Sequence, residues 1–336
     1  GNAKLSASVP QFWEQRTPAP AAQGEELVVA TADCKGVVMR NPSALADDEP
    51  QAGACKALEC ATLDSEKTVN KGRKKMAVLG SAYTIAPYVR TPEEVLEALF
   101  RARNTPPETE DIGLRPTPLS KHIRASLRRD DADTLKPAHA EIFSWLAEEV
   151  EHRSPEGPVS TVLLMDGQKS LWDAAQAHLG SASSIEILDL LHANSYVWKA
   201  AKLLHPNTKL EALIFFVKPR IKRILYGEVE GVVQGLRAMG TRRGLKGKRL
   251  KKLHKACTYL LKNAHRMRYD EYLAAGYPIA SGVIEGACRQ VIKDRMERSG
   301  MRWTLSGAQS MLELRCIYLN GEWEKYMRFH IEQESH

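Results

Sequence analysis

The chain has 336 residues, of which 43% are hydrophobic, and its formal net charge is +7 at pH 7. This length and apolar content exclude a disordered chain and allow one large core, or one core with an inserted subdomain. No apolar run approaches the roughly 20 residues that a membrane-spanning helix needs, and no signal peptide is visible, so a cytoplasmic protein is expected. The basic charge favours an anionic partner, most often nucleic acid, while an ordinary basic enzyme is the alternative. The six cysteines show neither a CxxC pair nor zinc-ligand spacing and are expected to be reduced thiols: Cys34, Cys55, Cys60, Cys257, Cys288 and Cys316.

Two stretches of the N-terminal half show no hydrophobic periodicity. Residues 1–24 are rich in Pro, Ala and Gly, which predicts an extended leader. Residues 41–75 are polar with few large apolar side chains, which predicts a long loop of a kind that is unusual inside a compact domain.

Between and after these stretches the sequence predicts a three-stranded meander followed by two helices. Glu26–Ala32 is a buried-type strand that ends at Asp33. A CKG turn leads into a second strand at Val37–Arg40, and together they predict a hairpin. Met76–Tyr88 is the third strand. Helices are predicted around Pro92–Arg103 and at the amphipathic segment His139–His152, with a proline-rich loop between them.

A strand–helix–strand–helix unit follows between Thr161 and Ala201. The short apolar run at its start and a second one around Ile187 are too brief for helices, and each is followed by helical periodicity. This pattern predicts a parallel pair of strands in an α/β domain. Asp166 follows the first strand and Asp189 follows the second, at the carboxyl ends where open α/β sheets place their chemistry.

Residues 206–272 show only helical periodicity, which predicts an all-helical insertion. Its polar face is strongly basic. A solvated helix face is the simple interpretation, but two basic runs in one segment with glycines between them favour contact with a phosphate backbone. The basic residues are Lys218, Arg220, Lys222 and Arg223, then Arg242, Arg243, Lys246, Lys248, Arg249, Lys251, Lys252 and Lys255.

The last segment, residues 273–336, predicts helices that return to the core. Ser281 is a candidate N-cap of a helix that holds Glu285 in its first turn, and Gly300 ends this helix. A closing helix is predicted from about Ser306 to Phe329. The predicted class is α/β, with a mixed sheet of strand order 3-2-1-4-5 flanked by helices and an all-helical insertion before the glutamate helix.

Three acidic residues fall where this topology brings them together: Asp33, Asp166 and Glu285. Strands one and four are neighbours in the predicted order, and a helix that crosses the sheet brings Glu285 beside both aspartates. Like charges at close range cannot all ionise unaided, and hard divalent cations such as Mg²⁺ neutralise them. Each residue also has a simpler explanation: Asp33 as a turn former, Asp166 as a turn or N-cap residue, and Glu285 as a helix-dipole partner that pairs with Arg289.

Five segments carry a resemblance to a known family: VVATADCKGVVMR, KKMAVLGSAYTIAPYVRTPEEV, LLMDGQKSLW, ILDLLHANSYVWKAA and PIASGVIEGACRQVIKDRMERSGMRW. In these segments the chain resembles bacterial insertion-sequence transposases of the ISKra type, distant relatives of Mutator-like elements in the RNase H-like DDE superfamily. The resemblance implies that Asp33, Asp166 and Glu285 are the DDE triad, and that Asp189 and His192 form a D-x-x-H signature. The simpler explanation for this last pair is an N-cap aspartate beside a structural histidine. The implied organisation is an extended leader (1–24), the first part of an RNase H-like core (25–205), the basic insertion (206–272) and the last core helices (273–336).

The resemblance also implies a reaction and its partners. Two Mg²⁺ or Mn²⁺ ions would be held by the triad, water would free a 3′-OH at the transposon end, and this 3′-OH would attack target DNA. Double-stranded DNA is the expected partner, with a homodimer or larger assembly in the complex and an association with the bacterial nucleoid. The side chains expected to contact DNA are Arg242, Arg243, Lys246, Lys248, Arg249, Lys251, Lys252, Arg289, Arg295 and Trp303, although a core position is the simpler expectation for the tryptophan.

Two departures from the family leave other classes open. Such transposases generally carry a substantial N-terminal region that recognises the transposon ends, and almost none is expected before strand one here. The first Asp is followed by Cys34-Lys35-Gly36 where relatives commonly have Asp-Gly. The alternatives are a truncated remnant that binds DNA without cleaving it, and an RNase H-like nuclease that cuts structured DNA without joining strands.

Overall fold

The structure is a computed structural model that describes residues 2–40, 74–101, 115–127, 138–155, 159–180 and 184–335. Most of the predicted polar loop, residues 41–73 with Cys55 and Cys60, lies outside this described part of the chain. The other four cysteines are free thiols: Cys34, Cys257, Cys288 and Cys316. Among the helices of the described part, none combines the length and the apolar character needed to span a membrane.

The centre of the fold is a five-stranded mixed sheet with the order β3-β2-β1-β4-β5. Its strands are β1 (Leu27–Val38), β2 (Lys74–Ile85), β3 (Leu119–Leu127), β4 (Thr161–Met165) and β5 (Ser184–Leu188). The pairs β1–β2 and β2–β3 are antiparallel, while β1–β4 and β4–β5 are parallel. The α/β class and the predicted strand order are therefore confirmed.

The residues assigned to the second and third strands of that order were wrong. No turn interrupts β1, because the residues of the CKG segment continue the ladder with β2, in which Cys34 pairs with Val78 and Gly36 with Met76. The third antiparallel strand is instead β3, which the sequence reading assigned to a proline-rich loop. In β3, Ile123 and Leu127 are buried on one side of the strand, and this period of two is the strand signal that the nearby prolines obscured.

Helices surround this sheet in chain order. They are α1 (Asn2–Leu5), α2 (Val9–Gln15), α3 (Pro92–Phe100), α4 (Ala138–Arg153), α5 (Lys169–Leu179), α6 (Leu190–Leu204), α7 (Leu210–Leu225), α8 (Val229–Arg242), α9 (Gly247–Lys262), α10 (Tyr269–Ala274), α11 (Gly282–Cys288), α12 (Asp294–Met296), α13 (Leu305–Leu319) and α14 (Trp323–Glu334). A π-helical segment, Arg289–Lys293, joins α11 to α12.

The prediction of an extended leader at residues 1–24 was wrong, because this segment forms α1 and α2. Val9 and Phe12 lie one turn apart on α2, and both are buried. The ring of Phe12 meets the edge of Tyr326 on α14 at a centroid distance of 5.2 Å. The prediction of a single closing helix was also wrong. Two helices, α13 and α14, are separated at Gly321, whose φ of +73° is unfavourable for residues with a Cβ.

Alternating side chains of the sheet build cores on its two faces. On one face, Ala30, Leu163 and Met165 pack against α4 and α5. The other face carries two clusters: the insertion-side core, where Val29 and neighbouring residues pack against α6–α10, and the glutamate-helix core, where Val37 and neighbouring residues pack against α11–α13. The candidate site lies on this second face, at the boundary between the two clusters.

The helices of residues 206–272 share their core with the sheet. Leu213, Leu236 and Leu260 belong to the same buried cluster as Val162 and Ile187 of the central strands. The helical segment is therefore packed firmly against the parallel edge of the sheet, and its position relative to the strand ends is set by apolar burial.

Candidate active site

Three aspartates lie in one row across neighbouring strands. Ala30 of β1 pairs with Leu163 of β4, and Met165 of β4 pairs with Leu188 of β5. Continuing both registers toward the carboxyl ends places Asp33 opposite Asp166, and Asp166 opposite Asp189. Asp33 lies inside β1 rather than at its end, which corrects the sequence prediction, because β1 continues beside β2 after β4 has stopped.

The backbone around Asp166 is fixed by three hydrogen bonds. The indole N–H of Trp172 donates to the Asp166 carbonyl at 2.6 Å, and the Gln168 amide donates to Oδ1 of Asp166 at 2.9 Å. The Gly167 amide donates to the hydroxyl of Tyr259 at 2.9 Å. A Cβ at Gly167 would lie 2.5 Å from that ring, so glycine is required here for close approach and the Asp166 carboxylate is held on a rigid turn.

Asp189 is completely buried, and its carboxylate accepts four hydrogen bonds from three residues. Its Oδ1 accepts the amides of Leu191 at 3.0 Å and Ser281 at 3.3 Å, and its Oδ2 accepts the Ser281 hydroxyl at 2.6 Å and Nδ1–H of His192 at 2.8 Å. Asp189 is thus the N-cap of α6 and also meets the residue that precedes α11, so two helix N-termini favour its charge. Burial opposes ionisation, but the bonds from His192, Ser281 and Leu191 outweigh it and lower the pKa of Asp189.

The hydrogen bond from Asp189 orients His192. With Nδ1 engaged, Nε2 of His192 faces Asp166 and lies 3.9 Å from its Oδ2. The hydrogen bond to Asp189 raises the pKa of His192 against the effect of its partial burial, and the charges of Asp166 and Asp33 act in the same direction. A protonated imidazole would offset one of the carboxylate charges around it.

The Glu285 side chain reaches the same place from α11. One ligand atom from each of Asp189, His192 and Glu285 lies within 4.8 Å of the others. Partial burial raises the pKa of Glu285, and the negative charges of Asp189 and Asp33 add to this effect. The helix of Glu285 is anchored by the buried residue Ser281, whose hydroxyl bonds Asp189 and does not cap α11 as the sequence suggested.

Asp33 is held by two cysteines, through the backbone amide of one and the thiol of the other. Its Oδ1 accepts the Cys34 amide at 2.7 Å, and its Oδ2 accepts the Cys288 thiol at 3.3 Å. Burial raises the pKa of Cys34 to about 12, partly opposed by the Gln168 amide 3.3 Å from its sulfur. The cysteine that follows Asp33, where the resembled family commonly has glycine, therefore adds no charge to the site at neutral pH.

Four carboxylates thus converge on one half-buried imidazole. Burial raises the pKa of Asp166, against a hydrogen bond from Gln168 and the His192 charge, and the charges of Asp33 and Asp189 raise it further. Carboxylates placed this way favour a bound cation, and Asp189, His192 and Glu285 form a group that could hold a metal ion. The oxygens of Asp189 already accept four hydrogen bonds, so its chemistry fits orientation of His192 better than direct ligation.

The seven insertion residues expected to contact DNA divide into two groups. Arg243 donates to the Leu204 carbonyl and Arg249 to the Leu203 carbonyl, each at 2.7 Å, so these two guanidinium groups cap the C-terminus of α6. The others project into solvent, and none of them takes part in an ion pair with another described residue: Arg242, Lys246, Lys248, Lys251 and Lys252.

The three candidate contacts beyond Glu285 lie in different environments. Arg289 and Arg295 are exposed, and the Arg289 guanidinium lies 3.6 Å from Asp294 rather than beside Glu285. Trp303 packs on the glutamate-helix core, and its indole N–H donates to the Met296 carbonyl at 3.1 Å. This is the geometry of a packing residue.

Sequence reasoning missed two residues that build the site. Ser281 was expected to cap its own helix, and its partner Asp189 lies 92 positions earlier. Tyr259 was assigned no role, although its hydroxyl meets the Gly167 amide. Neither contact has a local sequence signal, because each depends on how the insertion and α11 pack against the sheet.

Comparison with protein-family models, curated proteins and solved structures finds no match to this chain. The resemblance to transposases therefore stays a prediction, and the chemistry of the site has to be inferred from its geometry.

Proposed function

We propose that this protein is a metal-dependent phosphoryl transferase of the DDE transposase type, which cleaves DNA at transposon ends and joins the freed 3′-OH to target DNA. The observation that carries this proposal is the row of Asp33 and Asp166 on adjacent parallel strands, approached by Glu285 from the helix across the same face.

The donor set fits hard divalent cations. Asp33, Asp166 and Glu285 would hold Mg²⁺ or Mn²⁺ through carboxylate oxygens. Bound there, such ions supply Lewis-acid stabilisation to the attacking and leaving oxygens of a phosphodiester. The chain itself fixes the geometry: Trp172 and Gln168 hold the Asp166 turn, and Asp189 holds the imidazole of His192 toward it.

Support for DNA as the substrate comes from the exposed cations of α8, α9 and the turn between them. Arg242, Lys246, Lys248, Lys251 and Lys252 project into solvent from a segment packed against the strands that carry Asp166 and Asp189. A phosphate backbone bound by such residues would lie near the carboxylates, and its affinity would fall steeply with salt.

The test is a cleavage and joining assay with supercoiled plasmid and a 3′-OH oligonucleotide in Mg²⁺ or Mn²⁺. Wild type should nick the plasmid and join the oligonucleotide to it, while Asp166→Asn and Glu285→Gln should each lose activity by at least about 100-fold, as expected for groups that stabilise transition-state charge. Asp173→Asn is the matched control, because this exposed acid on α5 pairs with Lys169 away from the site. Nicking without joining would support a nuclease, and cleavage that persists in EDTA would overturn the proposal.

A further inference from the structure

A stripe of lysines runs along α9 directly to the Asp166 turn. Lys248, Lys252 and Lys255 are all exposed, and their spacing of four and three residues places them on one side of the helix. The next position in this stripe is Tyr259, four residues after Lys255. From Lys248 to Tyr259 the stripe is about 16 Å long at 1.5 Å per residue, which matches about five nucleotide steps of one DNA strand.

Tyr259 ends the stripe at the backbone of the site. Its hydroxyl accepts the Gly167 amide next to Asp166, and its ring stacks on Tyr196 of α6 with centroids 3.7 Å apart and planes within 10°. The ammonium of Lys199 lies 3.9 Å from the centre of the Tyr196 ring. Burial raises the pKa of Tyr259, and the Asp166 charge adds to this, so the phenol stays protonated at neutral pH.

We infer that Tyr259 is a positioning residue that couples DNA seated on α9 to the Asp166 carboxylate. The inference rests on the proposed function. A DNA backbone bound along Lys248, Lys252 and Lys255 would steady α9, and the phenol at the end of the stripe would hold the Gly167 peptide and the adjoining carboxylate in place. The stripe also gives the DNA a direction, because the bound strand runs along α9 toward Asp166.

The first test separates Tyr259 from an ordinary structural tyrosine. Tyr259→Phe keeps the ring stack but removes the acceptor of the Gly167 amide, so hydrogen exchange at that amide should accelerate about three- to tenfold. Single-turnover cleavage at saturating DNA should fall by a similar factor with unchanged DNA affinity. Tyr272→Phe is the matched control, since its hydroxyl also joins the insertion to the sheet, by donating to the Glu186 carbonyl at 3.1 Å. Equal cleavage rates in the two variants would overturn the positioning role.

The second test concerns the stripe and does not depend on cleavage. Replacing Lys248, Lys252 and Lys255 with Ala should weaken binding of duplex DNA and reduce the slope of log Kd against log salt by about 2–3. The control removes the same charge from exposed lysines elsewhere, Lys4, Lys121 and Lys325, and should leave the slope almost unchanged. Equal slopes in the two triple variants would overturn the proposed DNA path.

Failure of the proposed function would be recognised separately. If wild type bound DNA but never cleaved it in Mg²⁺ or Mn²⁺, the phosphoryl-transfer proposal would fail. The coupling would still be supported if duplex DNA slowed hydrogen exchange at the Gly167 amide in wild type but not in the Lys248/Lys252/Lys255 triple variant. DNA that left this exchange unchanged in wild type would overturn the coupling.

Discussion

Asp189→Asn tests whether the buried carboxylate holds the site together. The substitution keeps the size of the side chain but places an NH₂ donor where Oδ2 accepts the Ser281 hydroxyl and Nδ1–H of His192. Hydrogen bonds to charged groups contribute about 1.5–3 kcal/mol each. The serine hydroxyl can rotate and the imidazole can change tautomer, so part of this loss is recovered. We expect unfolding to become easier by about 2–4 kcal/mol at pH 7.

The assay is equilibrium unfolding in urea, followed by tryptophan fluorescence. Ser281→Ala is the control and should cost about 1.5–3 kcal/mol, less than Asp189→Asn, because it removes a single bond to the charged carboxylate. A second readout is the pKa of His192, which the Asp189 bond raises and which should fall in Asp189→Asn. An Asp189→Asn protein within about 0.5 kcal/mol of wild type, with an unchanged pKa of His192, would refute this account of the network.

The pH dependence of this deficit has a definite sign. The folded-state pKa of Asp189 is lowered, so its stabilisation is fully present above the unfolded pKa of about 3.9 and is lost as the pH falls toward the folded value. The stability difference between wild type and Asp189→Asn should therefore narrow below about pH 4. A difference that widened on acidification would contradict the assignment.

Two further predictions concern stability. Glu149 is buried, and desolvation opposes its ionisation, but His122, Arg153 and Arg16 outweigh this effect and lower the pKa of Glu149 to about 2. Glu149→Gln should therefore cost about 3 kcal/mol of stability at pH 7. In urea titrations that deficit should shrink between about pH 4.5 and pH 2, and a constant deficit would contradict the pKa. Gly80→Ala should cost about 1–3 kcal/mol in the same assay, because its Cβ would lie 2.7 Å from Ile142. Its control is Gly36→Ala, where the contact is the flexible side chain of Lys74 at 3.1 Å, and equal costs would contradict the packing argument.

The parallel half of the sheet was predictable because its signals are local. The apolar runs of β4 and β5 are short, each ends at an aspartate, and the helices behind them have clear periodicity. These features alone place Asp166 and Asp189 at strand ends. The position of Glu285 near Asp33 followed from topology and agrees with the charge interaction between them.

The antiparallel half was less predictable, because tertiary pairing overrides its local signals. The CKG segment has turn composition, yet the ladder with β2 keeps it extended through Gly36. β3 follows a proline-rich stretch, and Asn320 covers its edge by bonding both the amide and the carbonyl of Ile123. The links from Ser281 to Asp189 and from Tyr259 to Gly167 join residues 92 positions apart, a separation over which periodicity carries no information.

The dependence of the DNA cleavage rate on Mg²⁺ concentration tests the central claim most directly. If Asp33, Asp166 and Glu285 hold two cations, the single-turnover rate should rise with about the square of the Mg²⁺ concentration below saturation and should be lost in EDTA. Asp166→Asn should abolish the metal-dependent rate while DNA still binds. A cleavage rate that ignores Mg²⁺, or that survives Asp166→Asn unchanged, would contradict the assignment of this carboxylate site.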